Sequence, residues 1–447
     1  MQRETLEIWA RLGVGDRVAQ RGVQWRIGRT YYRGRELFSV ELPTHDEHFP
    51  PFVNISQSEV EDLLEAGLGE LGVPVHRGHR LTNLVQDADG VSTTLETDAG
   101  AVTHRSSYLV GTDGAHSTVR HAAGIGFPGY TFDDRFLIAD IRADLPMTNE
   151  RHFHFDPPWN PGRQVLIHPQ PDGVWRIDWQ VPPQTDVDAK RTSGCRDGRI
   201  RAVIGDATAY ELVWMTGYRF SQRLADTFRD RRVFLAGDAA HVMSPFGARG
   251  LNSGVADAEN LAWKLASVVH GEHDGRLDTY EAERRPAAVE NLRATDATMR
   301  FMAPHGPWRR ARRNIVLRLA PRSVWFRARV NSGRLAAPAS YAGLPTVAPG
   351  PDDRSLPPHG EVAPDVALPG GGRMRERLGR GFAVVHPDGA ARTALERIRI
   401  GADTVYGPDR AWLIRPDGYI ADSAPLLNAD RLWISRSARR GFVDKGD

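Results

Sequence analysis

Apolar residues along the chain follow two rhythms. Val255, Ala258, Leu261, Ala262, Leu265, Ala266 and Val269 recur at three- and four-residue spacing, the period of a helix with one buried face. The same spacing at Leu6, Trp9, Ala10 and Leu12 predicts a short helix that Gly13 ends. Residues 56–71 read as a helix with Ser56 as N-cap and Glu59 three residues on, a capping-box pattern. Elsewhere the alternation is that of strands. Residues 25–42 predict two strands turning at Arg33-Gly34; further strands are expected at 73–76, 81–87, 90–97 and 101–104, with a hairpin turn at Asp89-Gly90. Between 131 and 221 the expected strands are 135–143, 151–155, 164–168, 174–181 and 210–220. Residues 276–303 return to helix, kinked or restarted at Pro286, and 307–330 form a basic amphipathic helix with solvated arginines over Ile315, Val316, Leu317 and Leu319.

Candidate chemistry collects where these rhythms change. An apolar strand at 233–236 runs into Gly237-Asp238, then a loop rich in Gly and Pro, then the helix that carries Val255 to Val269. The N-terminus of that helix lies near Gly250 to Ser253, so its N–H groups and the positive end of its dipole favour an electron-rich or anionic group in the preceding loop. Gly247, Gly250 and Gly254 leave room for close backbone approach, and Asp238 can accept hydrogen bonds from sugar-like hydroxyls. A second block, 108–120 (YLVGTDGAHSTVR), runs from an apolar strand through Asp113-Gly114 into a helix. Taken alone, each Gly-Asp or Asp-Gly pair is an ordinary turn.

Taken whole, the strings are more specific. GDAAH, SPFGARGLNSG and DAENLAWKL resemble the second flavin fingerprint of the single-component FAD-dependent aromatic hydroxylases, and 108–120 is similar to that family's G-x-D-G-x-x-S-x-V-R motif. The resemblance implies that Gly237 and Asp238 meet the FAD ribityl chain, that Pro245 and Gly247 lie along the reactive flavin ring, and that Gly250, Leu251 and Asn252 face its pyrimidine edge. It implies further FAD contacts for Gln57, Asp113, Gly114 and Arg120, the last three in a motif also tied to pyridine-nucleotide handling. Arg249 stands in a loop position where many relatives have a smaller side chain, and a bulky cation there is expected to alter substrate access or flavin movement. The family begins with a strand, a G-x-G-x-x-G turn and a helix that hold the FAD pyrophosphate. The chain is expected to lack G-x-G-x-x-G throughout, and about 45 residues of a family member are expected to be missing ahead of it.

Composition narrows the picture without naming a partner. The 447 residues are enough for two or three domains; hydrophobic content of 40%, charged content of 26% and a net charge of +2 fit a globular protein that binds neither nucleic acid nor membrane. No apolar run approaches the ~20 residues that span a bilayer. Cys195 is the only cysteine, which excludes an intrachain disulfide and a thiolate zinc site and fits a reducing, cytoplasmic setting.

The expected fold class is α/β: a Rossmann-like FAD-binding domain, N-terminally incomplete (1–24, 56–130 and 222–305), an inserted β-sheet substrate domain (25–55 and 131–221), a helical segment (306–336), a linker (337–360) and a C-terminal thioredoxin-like domain (361–447). That last unit lacks Cys-x-x-Cys, leaving it a structural or homodimer-supporting role. The resemblance implies a monooxygenase in which NADPH or NADH reduces FAD, molecular oxygen forms a flavin hydroperoxide, and a small phenolic or polyketide-type aromatic substrate is hydroxylated. Two alternatives stand beside it: a truncated, non-catalytic paralogue with weak or no FAD binding, and another oxidation, such as epoxidation or oxidative ring cleavage, by the same flavin superfamily. Trp159, Trp175, Trp179 and Trp214 are candidate pocket aromatics; His152, His154, His168, Tyr210 and Tyr218 are candidate bases for a phenol.

Overall fold

The computed structural model describes residues 1–42, 47–147, 149–185, 194–304, 306–330, 337–351, 353–387, 396–401, 404–426 and 432. Its helices are α1 (Arg3–Ala10), α2 (Gly15–Arg21), α3 (Gln57–Glu70), α4 (Thr118–Ala122), α5 (Gly194–Ile204), α6 (Arg249–Val269), α7 (Asp278–Met302), α8 (Pro307–Leu319) and α9 (Val324–Arg327). Ser56 caps α3 by accepting from the Glu59 N–H, and Arg33-Gly34, both at positive φ, close the first hairpin as a primed turn does.

An eight-stranded sheet dominates the middle of the molecule. Its order is His241–Val242, Glu211–Leu224, Gly129–Arg142, Val174–Val181, Gln164–Pro169, Arg151–Phe155, Ile27–Tyr32 and Arg35–Glu41. Strand alternation explains its two faces. Along Val174–Val181 the odd positions Trp175, Ile177, Trp179 and Val181 point into a core with Leu137, Ala139 and Ile141, which α5 covers with Ile200 and Ile204. The opposite face carries Arg176 and Asp178 on that strand, with Phe136, Phe153 and Phe220 on its neighbours, and α7 and α8 bring Met299, Met302, Val316 and Leu317 against its aromatic part.

A smaller sheet joins the two motif blocks. Val233–Leu235 runs parallel to Leu109–Gly111, with Leu235 beside Gly111, so both fingerprints leave adjacent parallel strands at the same end. Arg229–Asp230 completes this sheet, whose core includes Phe228, Phe234, Leu261, Tyr280 and Ala288. The C-terminal unit is a four-stranded sheet in the order Glu396–Arg399, Ala383–His386, Arg410–Ile414, Ile420–Pro425, with the first pair parallel and the others antiparallel.

Several expectations change. Residues 73–76 form no strand: no described strand runs alongside to share a ladder, and Val73 and Val75 stay exposed. Helix α7 runs unbroken through Pro286. The basic helix expected over 307–330 divides at 320–323 into α8 and α9, and Ile315 lies on its exposed side while Arg313 is buried, donating to the Met302 carbonyl. Segment 337–360 is less a linker than a strap: Tyr341 and Val347 are buried, and Tyr341 stacks on Tyr419 at 4.2 Å. Contrary to expectation, glycines spaced G-x-G-x-x-G do occur, at 67–72 across the last turn of α3 and at 124–129 just after α4, but neither string opens a helix after a strand.

Candidate functional site

Residues 233–254 build a concave edge from backbone outward. Strand Val233–Leu235 ends in a single 3₁₀ turn, Gly237–Ala239, that leaves the Asp238 side chain exposed; burial of its surroundings pushes this carboxyl up, and nearby His241 opposes that shift. Gly254 on α6 packs directly under this turn: a Cβ there would lie 3.1 Å from the Gly237 Cα. Farther on, the Ala248 N–H donates to the Pro245 carbonyl at 2.9 Å and Gly247 sits at φ +87, the signature of a type II turn that needs glycine at its third position. Phe246 anchors that turn in the sheet domain, 5.5 Å from Phe136 and 5.8 Å from Phe220. Helix α6 then starts without a side-chain cap, because Ala248 has none to offer, so the helix end faces the turn.

A buried polar network holds this edge in place. Asp257 on α6 accepts from the Gly237 N–H (3.2 Å), contacts His241 Nε2 (2.7 Å) and accepts from Arg284 Nε of α7 (2.7 Å). Burial pushes the Asp257 carboxyl up, but His241 and Arg284 overcome it and hold the group below its ordinary value. One turn along, Glu283 accepts from Lys264, Asn260 and both Nη atoms of Arg415, while Asp417 pairs with Arg415 and Trp263. Removing such charges from water costs several kcal/mol each, so the arrangement specifies how α6, α7 and the C-terminal unit meet more than it adds net stability. From the other side, Gln2 and Thr5 donate to Asn252 Oδ1, and Gln2 Nε2 reaches the Gly247 carbonyl at 3.1 Å.

Beyond the type II turn lies a cavity of about 670 Å³. Pro245, Phe246, Gly247 and Ala248 form part of its wall; Trp25, Phe38, Phe52, Phe136, Phe153 and Phe220 add aromatic rings to it, and α9 borders it with Val324 and Arg327. A polar band of Arg151, His168, Arg176 and Asp178 crosses the sheet side. Among the described residues no group of His, Cys, Asp and Glu could hold a metal, and no helix is long and apolar enough to cross a membrane.

The expected site residues fall into distinct places. Gly237, Asp238, Pro245, Gly247, Gly250, Leu251 and Asn252 share the concave edge, although the Leu251 side chain packs toward α1 and the Asn252 amide is occupied by Gln2, Thr5 and Ala248. Arg120 is buried and donates to the Ala239 carbonyl at 2.8 Å, tying the first motif to the second. Asp113 is engaged in capping α4, accepting from Ser117 and the Val119 N–H; Gly114 follows at φ +82, and Gln57 is exposed on the first turn of α3. Arg249 is bound to Asn291 of α7 and does not line the cavity.

The pocket candidates are redistributed. Trp175 and Trp179 belong to the core behind the sheet, Trp159 packs beside it, and Trp214 is half exposed; Trp25, which the sequence did not single out, lines the cavity. Among the candidate bases only His168 reaches it. His152 and His154 stack with Tyr31, Tyr210 bonds Asp197, and Tyr218 is exposed. Sequence reading missed Asp178 and Arg151; the signal was strand alternation, which sets Arg176 and Asp178 opposite the tryptophans of the same strand.

Residues 1–295 match the family model described as FAD binding domain. A 3-(3-hydroxy-phenyl)propionate/3-hydroxycinnamic acid hydroxylase of Comamonas testosteroni is 34% identical over 307 residues, 67% of this chain and 51% of that protein. A 12-dehydrotetracycline 5-monooxygenase/anhydrotetracycline 6-monooxygenase of Streptomyces rimosus subsp. rimosus is 35% identical over 298 residues, 61% of this chain and 57% of that one. The chain thus matches little more than half the length of these curated relatives. Among solved structures, the flavin-dependent monooxygenase PieE, in complex with FAD and substrate, has a TM-score of 0.82 at 24% identity, covering 98% of this chain and 91% of that one. The anhydrotetracycline hydroxylase OxyS from Streptomyces rimosus has a TM-score of 0.72 at 27% identity, covering 97% and 89%.

Proposed function

The chain belongs to the FAD-dependent aromatic hydroxylase family, and from that premise we propose that it is a monooxygenase that hydroxylates a small phenolic or polyketide-type aromatic compound, with FAD as cofactor, NADH or NADPH as reductant and molecular oxygen as the oxygen source. The observation that carries this reading is one shared wall: Pro245 to Ala248 border both the concave backbone edge and the aromatic cavity. A flat cofactor on that edge would face a substrate in the cavity.

The residues fit the ring and ribityl portion of FAD. The close contact of Gly237 with Gly254 keeps the floor free of side chains, Asp238 offers a carboxylate to hydroxyls, and the uncapped start of α6 offers N–H groups and a positive dipole end. FAD would supply the redox chemistry; the chain's residues orient the partners and exclude water. Gly237, Asp238, Gly250, Leu251 and Asn252 are assigned to holding the cofactor, Pro245 and Gly247 to the ring face, and Asp113, Gly114, Arg120 and Gln57 to the supporting rim. For the C-terminal unit we infer a thioredoxin-like sheet without thiol chemistry, supported by its mixed strand pairing, that braces α6 and α7 through Arg415 and Asp417.

Purified protein mixed with FAD tests the reading. Retained visible flavin absorbance after desalting, and NADPH or NADH oxidation stimulated by phenols with formation of a hydroxylated product, is the expected result. A protein that takes up no flavin overturns it.

A further inference from the structure

One polar band interrupts the aromatic cavity, and two atoms in it lack partners. Across the sheet, His168 stands opposite Arg176, Arg176 opposite Asp140, and Asp178 opposite Leu166; Arg151 begins the next strand beside Gly28, which adds no side chain. Arg176 is committed to Asp140, donating from Nε and Nη2 at 2.8 Å each. Asp178 Oδ1 is buried without a hydrogen-bond partner, and so is His168 Nε2. Unpartnered polar atoms on a cavity wall specify what its occupant must supply.

The His168 tautomer follows from its neighbours. The Trp25 indole N–H can only donate, and it donates to Asn54 Oδ1 at 3.2 Å. Asn54 Nδ2 therefore donates to the Pro169 carbonyl at 2.8 Å and to His168 Nδ1 at 3.1 Å, which assigns the ring proton to Nε2. Burial, with Arg176 and Arg151 close by, holds this imidazole well below its ordinary value, so it stays neutral. Beside its two guanidiniums the band offers an imidazole N–H, at His168 Nε2, and a carboxylate oxygen, Asp178 Oδ1, on diagonal neighbours of adjacent strands.

Resting on the reading of this cavity as the substrate chamber, we propose that Asp178 is the proton acceptor for a phenolic hydroxyl and that His168 donates to a second oxygen on the same ring edge, so that the substrate is an aromatic compound with two neighbouring oxygen substituents. In that step the substrate O–H bond breaks, an O–H bond forms at Asp178 Oδ1, and the electron pair stays on the phenolate oxygen; nothing is oxidised or reduced. The phenolate raises electron density at the ortho and para carbons. Arg151 and Arg176 border the same band and favour the anion. Burial pushes the Asp178 carboxyl up to about 7, against the pull of Arg176, which suits a base working near neutrality.

Equilibrium binding of 2,3-dihydroxynaphthalene, 2-naphthol and 2-methoxynaphthalene to the purified protein, with no reductant present, tests the donor and acceptor roles. The wild type is expected to bind them in that order, with about three- to tenfold between neighbours, the worth of one hydrogen bond. His168→Phe should close the first gap and Asp178→Leu the second. Equal binding of all three by the wild type, or gaps that survive in the matching variants, overturns the assignment; the wild-type series alone decides if a variant does not fold. With FAD-loaded enzyme and 2,3-dihydroxynaphthalene, Asp178→Asn should lower kcat by about a hundredfold or more while KM moves less than about threefold, since the amide still accepts a hydrogen bond but no proton. An unchanged kcat overturns the proton transfer. Binding gaps in a protein that oxidises no pyridine nucleotide would uphold the donor and acceptor roles and reject the hydroxylase reading, so the two fail separately.

Discussion

Asp257 shows how much rests on single side chains. One buried carboxylate holds the Gly237 N–H, His241 and Arg284 together. Asp257→Asn is expected to cost about 3–5 kcal/mol, the typical penalty for breaking a buried charge pair, read as a lower urea midpoint, with weaker FAD retention because the Gly237 turn loses its tether. Both His241 and Asp257 lie inside strings that mark the family, yet their contact across 16 residues of loop and helix is a tertiary fact that no local pattern encodes. Asp178 is legible in the sequence. Alternation along 174–181 separates charged from aromatic positions: the tryptophans mark the core face of the strand, and the cavity face is the one that carries Arg176 and Asp178.

At the scale of elements, one substitution has different consequences in two helices. Gly69 lies exposed in α3 with open space around its missing side chain, so Gly69→Ala should stabilise by about 0.5–1 kcal/mol through helix propensity. Gly254 lies under the Gly237 turn, so Gly254→Ala must displace that turn; the expected outcome is an unchanged or lower melting temperature and at least tenfold weaker FAD binding by titration. Gly247→Ala forces an L-residue into positive φ and should cost about 1 kcal/mol or more. Helices and hairpins with their own caps and turns were readable: α3 with Ser56, α6 with its apolar stripe, the hairpin at Arg33-Gly34. Residues 73–76 were not, because a strand requires a partner and the sequence names only one side of the pair.

For the whole molecule, Glu283 is the junction between α7, α6 and the C-terminal unit. Burial pushes its carboxyl up, but Arg415 and Lys264 prevail and hold it well below its ordinary 4.5. Its contribution is therefore present above that value and is lost as pH falls below about 4.5. Wild-type stability should drop steeply over that acid range, whereas Glu283→Gln should start about 3–5 kcal/mol lower and show a shallower acid limb in urea titrations. Burial lowers the Lys264 amine to about 8, so from there up to its ordinary 10.5 the unfolded chain binds the extra proton and stability rises with pH. The assignment of segments to one sheet was expected from the order of motifs, but its strand order was not. Arg151–Phe155 lies parallel to Ile27–Tyr32, joining positions more than 120 residues apart, as in the pair of Arg151 with Gly28. Closing so long a loop precedes any reward from the contacts it makes, and such pairings form slowly. The cavity wall should accordingly be among the last surfaces to mature, so a ligand cannot template its own pocket early in folding, and an aromatic compound added during refolding should raise the final yield of native protein without accelerating its appearance.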